Sequence, residues 1–324
     1  MQATAIAHPN VALIKYWGKS DSMLNLPATG SLSITLGGLH THTSVSFEAG
    51  LQQDSLLLDG KTDSAADLRM VRCLDEVRRH ACCELFASVE SANDFPTGAG
   101  LASSASGFAA LTVAATRALK LDLPPQEMAR IARLGSGSAP RSLFAGAVLL
   151  DIASSPGETL CSTISPPDRW PLSVVVAVTS VEKKAISSTA GMESSRAASP
   201  YFEGWVNSHP ADLAAGLACF ADQDFMRLAE LAEHNCLKMH ALAMSTQPPL
   251  LYWSPATLAC MQAVMSLRAD GVPVFFTVDA GPQVKAVCLP EAALQVRQRL
   301  QQVPGVVQTL DCTLGQGAWV ESAD

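Results

Sequence analysis

Residues 96–106 read Pro-Thr-Gly-Ala-Gly-Leu-Ala-Ser-Ser-Ala-Ser, and the helical-looking run Phe108–Thr116 follows at once. Gly98 and Gly100 lack a Cβ, so the backbone can turn sharply there and an anion can approach the main chain. A helix beginning near Ala102 to Ser104 would present unpaired N–H groups beside the hydroxyls of Ser103, Ser104 and Ser106, which together form a phosphate cradle. A close-packed turn with a serine cap fits the composition equally well. The stretch is neither a Walker loop, since no Gly-Lys-Ser/Thr follows, nor a dinucleotide Gly-x-Gly-x-x-Gly. A second cluster repeats the chemistry. In Arg133–Ser142, Gly135 and Gly137 alternate with Ser136 and Ser138, and Arg141 offers a planar fork suited to carboxylate or phosphate. Two such stretches suggest two anions bound close together.

Two further features carry ionisable groups. Asp279 stands where the apolar run Val274–Val278 meets Gly281–Pro282, as a turn cap or as a working carboxylate. Lys15 and Lys19 lie four apart around Tyr16 and Trp17, as a strand end with solvated lysines or as cations in a site. Read alone, each favours its plainer alternative.

These side chains must be placed by a large core. The chain has 324 residues, 48% hydrophobic and 16% charged, enough for one large domain or two smaller ones. The net charge of −8 makes it a poor general binder of nucleic acid but leaves room for a local basic pocket. The nine cysteines form no Cys-x-x-Cys and several sit in apolar stretches, which reads as buried free thiols in a reducing cytoplasm. No signal-peptide pattern and no membrane-length apolar run occur. Period-two alternation predicts strands at both ends of the Gly37–Gly38 turn, and Asp59-Gly60 predicts a hairpin. Helical spacing predicts a helix from Ser64, helices over about 106–119 and 125–134, and a helical half from Pro210 to Met244. Residues 186–205 read as irregular, and the helix after Pro290 reads as the last element. The interleaving lacks a doubly wound period, so the fold class is α+β, with the best boundary near 181–199.

Taken together, Pro9–Lys19, Asn93–Leu111, Arg133–Val148, Ser187–Met192 and Phe276–Pro282 resemble the diphosphomevalonate decarboxylases of the GHMP kinase superfamily. Lys-Tyr-Trp-Gly-Lys and Gly-Ser-Gly-Ser-Ala-x-Arg-Ser are specific to that branch; the Pro-x-Gly-x-Gly loop indicates only the superfamily. The resemblance implies an N-terminal ribosomal-protein-S5-domain-2-like domain with the ATP loop, over residues 1–182. A C-terminal ferredoxin-like domain carrying the catalytic Asp follows over 183–324, with the site in the cleft between them. It implies a cytoplasmic homodimer, ATP and magnesium, and decarboxylation of mevalonate 5-diphosphate to isopentenyl diphosphate. Matched motif by motif, Asp279 is the catalytic acid, Lys15 its partner, and Arg141 the grip on the substrate carboxylate. Asn10, Tyr16, Lys19, Arg69, Ser136, Gly137, Ser138 and Ser188 match substrate positions. Pro96, Gly98, Ala99, Gly100, Leu101, Ala102, Ser103, Ser104 and Lys184 match nucleotide positions, with Ser103 or Ser104 near the magnesium ion.

Three departures bear on specificity: the 27–30 segment, Pro140, and Gln283 where Asn is usual. The alternatives are a 3-kinase of mevalonate, a monophosphate decarboxylase, or a non-catalytic metabolite sensor. His40 and His42 share a strand face without a third ligand and read as surface residues. His234 and His240 receive no catalytic part.

Overall fold

The computed structural model describes all residues except 63, 98–99, 153–157, 183–184 and 324, and in residues 64–67 it describes the backbone alone. Among the described residues two large sheets organise the chain. In the first, the strands run in the order Trp319–Ala323, Gln2–Ala7, Thr41–Glu48, Phe86–Asn93, Ser55–Leu58 and Lys61–Thr62. In the second the order is Leu160–Ser165, Ala147–Asp151, Ser31–Gly37, Gln308–Leu314, Ser173–Val178, Val284–Cys288 and Val274–Val278, with Asn10–Ile14 also paired to Ser31–Gly37.

The local chemistry explains these elements. Thr41–Glu48 alternates buried and more exposed positions, as one face of a sheet on a core demands. Asp59 and Gly60 both take positive φ, 49° and 73°, which gives the primed turn that matches strand twist. Val274–Val278 and Val284–Cys288 are buried throughout and antiparallel, and they carry the turn with Asp279 at its start. Helix Ser64–Ala81 and helix Ser103–Ala118 pack on the first sheet through Met70, Leu74, Val77, Leu111 and Ala115. Helix Pro255–Ala269 starts with a capping box between Ser254 and Thr257 and packs on the second sheet through Met261 and Val264.

Two expectations fail. Within the stretch read as irregular, residues 188–198 and 202–205 are helical, the latter opening the helix Phe202–Asp222 ahead of the start at Pro210 that the spacing predicts. Ser187 caps the first of these by accepting from the Ala190 N–H at 3.2 Å. Its small residues serve close packing, since a Cβ on Gly191 would lie 2.2 Å from the Tyr252 hydroxyl and 3.2 Å from Trp17. The helix Ala293–Gln301 is not the last element either. Gln308–Leu314 joins the second sheet, and Trp319–Ala323 pairs with the opening strand Gln2–Ala7. These pairings are non-local, so no short sequence window reports them. All nine cysteines are free thiols; Cys82 is exposed and Cys83 partly so, while the other seven are buried. No helix among the described residues is long and apolar enough to cross a membrane.

Candidate active site

Asp279 leaves the buried strand Val274–Val278, and its carbonyl accepts from the Gly281 N–H at 2.8 Å. Lys15 leaves the strand Asn10–Ile14 and donates from Nζ to Asp279 Oδ1 at 2.7 Å. Lys15 is placed from behind, where its N–H donates to Asn235 Oδ1 at 2.7 Å on helix Phe225–Met244. The sequence reading missed Lys285. Its ammonium lies 3.2 Å from Asp279 Oδ2 and donates to the Gly100 carbonyl at 2.8 Å. A usable signal existed: a lysine inside the fully buried strand Val284–Cys288 must find an anion. Burial alone would raise the Asp279 carboxyl, but Lys15 and Lys285 outweigh it and hold the group well below the usual carboxylate range. Burial pushes the Lys285 ammonium down, against the pull of Asp279. His240 sits behind the acid with Nε2 3.1 Å from the Val278 carbonyl, and burial drives it down to about 3, so it is neutral.

Arg141 lies on the short helix Ala139–Ser142 and is 4% exposed. Nε donates to Asn10 Oδ1 at 3.0 Å, and Nη1 donates to Ser31 Oγ at 2.6 Å. Asn10 is itself fixed, donating from Nδ2 to Ser142 Oγ at 2.8 Å and to the Ser138 carbonyl at 3.2 Å. Among the described residues no carboxylate pairs with Arg141, although a buried cation gains most from one. The guanidinium carbon is 5.9 Å from the centre of the Tyr16 ring. The Tyr16 hydroxyl is buried and has no hydrogen-bond partner among the described residues.

The two small-residue stretches meet. Ser104 Oγ is 3.3 Å from Ser136 Oγ, which is 3.1 Å from Ser138 Oγ. Helix Ser103–Ala118 begins after Ala102, which takes φ 57°, and neither a side-chain cap nor an acidic residue serves its first turn. Its N-terminal donors therefore suit a phosphate, and the serine hydroxyls beside them suit an oxygen-coordinated magnesium ion. Gly100 takes φ +90°, and a Cβ there would approach Gly281 Cα to 3.0 Å, so the loop rests against the Asp279 turn. Lys19 is buried and donates to Asn25 Oδ1 at 2.6 Å and Thr189 Oγ1 at 3.4 Å. Burial pushes its ammonium down and Glu193 opposes this. Arg69 stacks its guanidinium 5.3 Å from the Phe108 ring centre.

A cavity of about 500 Å³ gathers these groups. Its wall includes Asn10, Lys15, Tyr16, Lys19, Arg69, Gly100, Ala102, Ser103, Ser104, Ser136, Gly137, Ser138, Arg141, Ser188 and Asp279. Asn25 and Arg72 also line it and were not foreseen. Leu101 packs into the main core, and Pro96 stands off the wall. Gly98, Ala99 and Lys184 fall outside the described residues. Gln283 also lies off the wall, since its amide accepts from the Thr179 N–H at 2.6 Å and donates to the Ser180 carbonyl at 2.5 Å. Pro140 is buried inside the short helix, and in the 27–30 segment the Gly30 carbonyl is engaged by His209 Nε2 at 2.9 Å. His40 and His42 lie at the surface beside Asp94 and Glu321.

The tight contact at Gly137 gives a direct test. A Cβ there would lie 2.4 Å from the Tyr16 hydroxyl, so Gly137→Ala must displace the ring. The expected outcome is a KM for the phosphorylated substrate raised about 10-fold, with Tm and secondary structure little changed. Steady-state kinetics and circular dichroism check it; an unaltered KM would place Tyr16 outside the substrate site.

Comparison with known proteins shows the family. The diphosphomevalonate decarboxylase-like N-terminal domain matches residues 7–161, and the mevalonate 5-diphosphate decarboxylase C-terminal domain matches residues 174–318. The diphosphomevalonate decarboxylase of Ganoderma lucidum is 36% identical over 87% of this chain and 76% of its own length. The mevalonate diphosphate decarboxylase of Staphylococcus aureus superposes with a TM-score of 0.93 at 34% identity, covering 99% of this chain and 98% of that one. MDDEF, solved in complex with MVAPP, AMPPCP and magnesium, gives a TM-score of 0.91 at 37% identity, covering 99% and 98%. The α+β expectation holds, and with both halves matched in order, this chain belongs to the diphosphomevalonate decarboxylase family.

Proposed function

We propose that this chain decarboxylates mevalonate 5-diphosphate to isopentenyl diphosphate at the expense of ATP. The observation that carries the reading is Asp279, held between Lys15 and Lys285 on the wall of a cavity that also presents Arg141, which has no carboxylate partner among the described residues.

The substrate's tertiary hydroxyl is a poor leaving group, and the γ-phosphoryl of bound ATP, screened by magnesium, turns it into phosphate. The chain's part is to position and to stabilise charge. Asp279, kept ionised by its two lysines, would orient the 3-hydroxyl and take its proton. Asp279 would pass that proton to the phosphoryl oxygens, so that when phosphate departs and positive charge develops at C3, the again ionised carboxylate would stabilise it. Arg141 would hold the substrate carboxylate so that its C–C bond lies in line with the empty orbital at C3; carbon dioxide would leave, and the electrons of that bond would stay behind to form the new double bond. Tyr16, Lys19, Ser136, Gly137 and Ser138 would hold the diphosphate, with Asn10 bracing Arg141 and Arg69 and Ser188 closing the wall. Gly98, Ala99, Gly100, Ala102, Ser103 and Ser104 would cradle the nucleotide phosphates, with a serine hydroxyl near the magnesium ion.

The division into an ATP-loop half, 1–182, and a half bearing Asp279, 183–324, belongs to the same proposal. So do the homodimer, carried from the family, and a cytoplasmic setting, which nine free thiols suit.

The test is a panel of mevalonate, its 5-phosphate and its 5-diphosphate, each with ATP and magnesium, scored for ADP and carbon dioxide. Turnover of the 5-diphosphate alone is the expected outcome. Turnover confined to the 5-phosphate, ADP without carbon dioxide, or binding without turnover would point to the monophosphate decarboxylase, the 3-kinase or the sensor respectively.

A further inference from the structure

Lys285 does more than neutralise a neighbour. Its ammonium has three donors, and two are committed to different parts of the site: one to the carbonyl of Gly100, in the phosphate-loop stretch, and one to Asp279 Oδ2. Its side chain is 2% exposed, whereas that of Asp279 is 25% exposed toward the cavity. It rises from the fully buried strand Val284–Cys288, whose register against Val274–Val278 places Lys285 opposite Thr277, two residues before the acid. Lys15 engages only the other oxygen, Oδ1. The two lysines thus fix the rotation of the carboxylate, and Lys285 also touches the loop. The loop and the acid are close enough that a Cβ on Gly100 would meet Gly281 Cα at 3.0 Å.

We propose that Lys285 is a positioning residue that ties the Gly100 carbonyl to Asp279, so that the nucleotide loop and the acid are held in one register. The inference rests on the decarboxylase reading for its effect on turnover, but not for its effect on the carboxylate. Removing Lys285 leaves the Gly100 carbonyl without that donor and Asp279 with a single close cation. The charged and titratable groups facing Asp279 would then be Lys15 from the end of its strand, Arg141 from the short helix, and Cys236 and His240 from helix Phe225–Met244. His240 is neutral and the Cys236 thiol is raised by burial, so neither replaces the lost charge.

The experiment uses the full-length chain and two variants, Lys285→Gln and Lys285→Arg. The carboxyl 13C resonance of Asp279, assigned by its loss in Asp279→Asn, is titrated by NMR without any substrate. In the unaltered chain it should show no protonation down to about pH 4. In Lys285→Gln the onset of protonation should move up to above about pH 4, while Lys285→Arg should keep it below. Binding of an ATP analogue with magnesium should weaken about 10-fold in Lys285→Gln, and kcat should fall about 100-fold. In Lys285→Arg the charge is kept but the wider guanidinium cannot hold both contacts, so kcat should fall about 10-fold with the carboxyl unmoved. An Asp279 titration unmoved in Lys285→Gln, or moved equally in both variants, would overturn the proposal. So would a change confined to Tm, which is what a merely structural lysine predicts. Should Lys285→Gln fail to fold, a kcat of Lys285→Arg equal to that of the unaltered chain overturns it. Because titration and analogue binding need no turnover, failure of the decarboxylase reading would appear separately, in the substrate panel.

Discussion

Asp279→Asn should abolish ADP formation, by more than about 1,000-fold, while the affinity for mevalonate 5-diphosphate should change by less than about threefold. Asparagine preserves the shape of the side chain and removes the charge. The amide cannot accept the proton of the 3-hydroxyl, and it cannot stabilise a cationic C3. The substrate's charged ends are expected at Arg141 and around Tyr16 and Lys19, all on the same cavity wall but on different elements from Asp279. Binding therefore survives the loss of chemistry. Lys15 and Lys285 are left as buried cations without their shared anion, so Tm should also fall. Isothermal titration with the 5-diphosphate and a coupled ADP assay separate the two effects. Normal ADP formation by the variant would remove Asp279 from the mechanism.

Arg141→Gln tests the other end of the reaction. The guanidinium is buried, anchored on Asn10 and Ser31, and lacks a carboxylate partner among the described residues. If its partner is the carboxylate that leaves as carbon dioxide, the variant should lose decarboxylation more than phosphoryl transfer. Carbon dioxide should fall by about 1,000-fold and ADP by about 10- to 100-fold, so the ratio of ADP to carbon dioxide rises well above one. The magnitude follows from losing a desolvated, charge-assisted contact that must also orient the bond being broken. Parallel measurement of labelled carbon dioxide and ADP checks it; equal losses of both products would assign Arg141 to binding alone.

Much of this site was legible because its residues break local rules. Asp279 follows a buried strand at the start of a turn, and two Gly-Ser stretches, one with an Arg, repeat a chemistry that suits anions. The two stretches meet at Ser104 and Ser136. Lys285 was less legible, because its strand reads as apolar and only the folded partner strand brings it to Asp279. Asn25 and Arg72 reach the cavity from a loop and a helix face whose own sequences carry no signal. The same limit applied to the fold. Hairpins and capped helices follow from neighbouring residues, as Asp59-Gly60 and Ser254–Thr257 show. The helix Ser188–Ala198 was hidden by small residues whose purpose is contact with Trp17 and Tyr252. The closing strands Gln308–Leu314 and Trp319–Ala323 are defined by partners hundreds of residues away.

The account is tested most directly by a single-turnover reaction of the full-length chain with ATP, magnesium and mevalonate 5-diphosphate labelled at the carboxyl carbon. One labelled carbon dioxide and one ADP per substrate consumed is the predicted result. ADP released while the label stays in the organic product would contradict it.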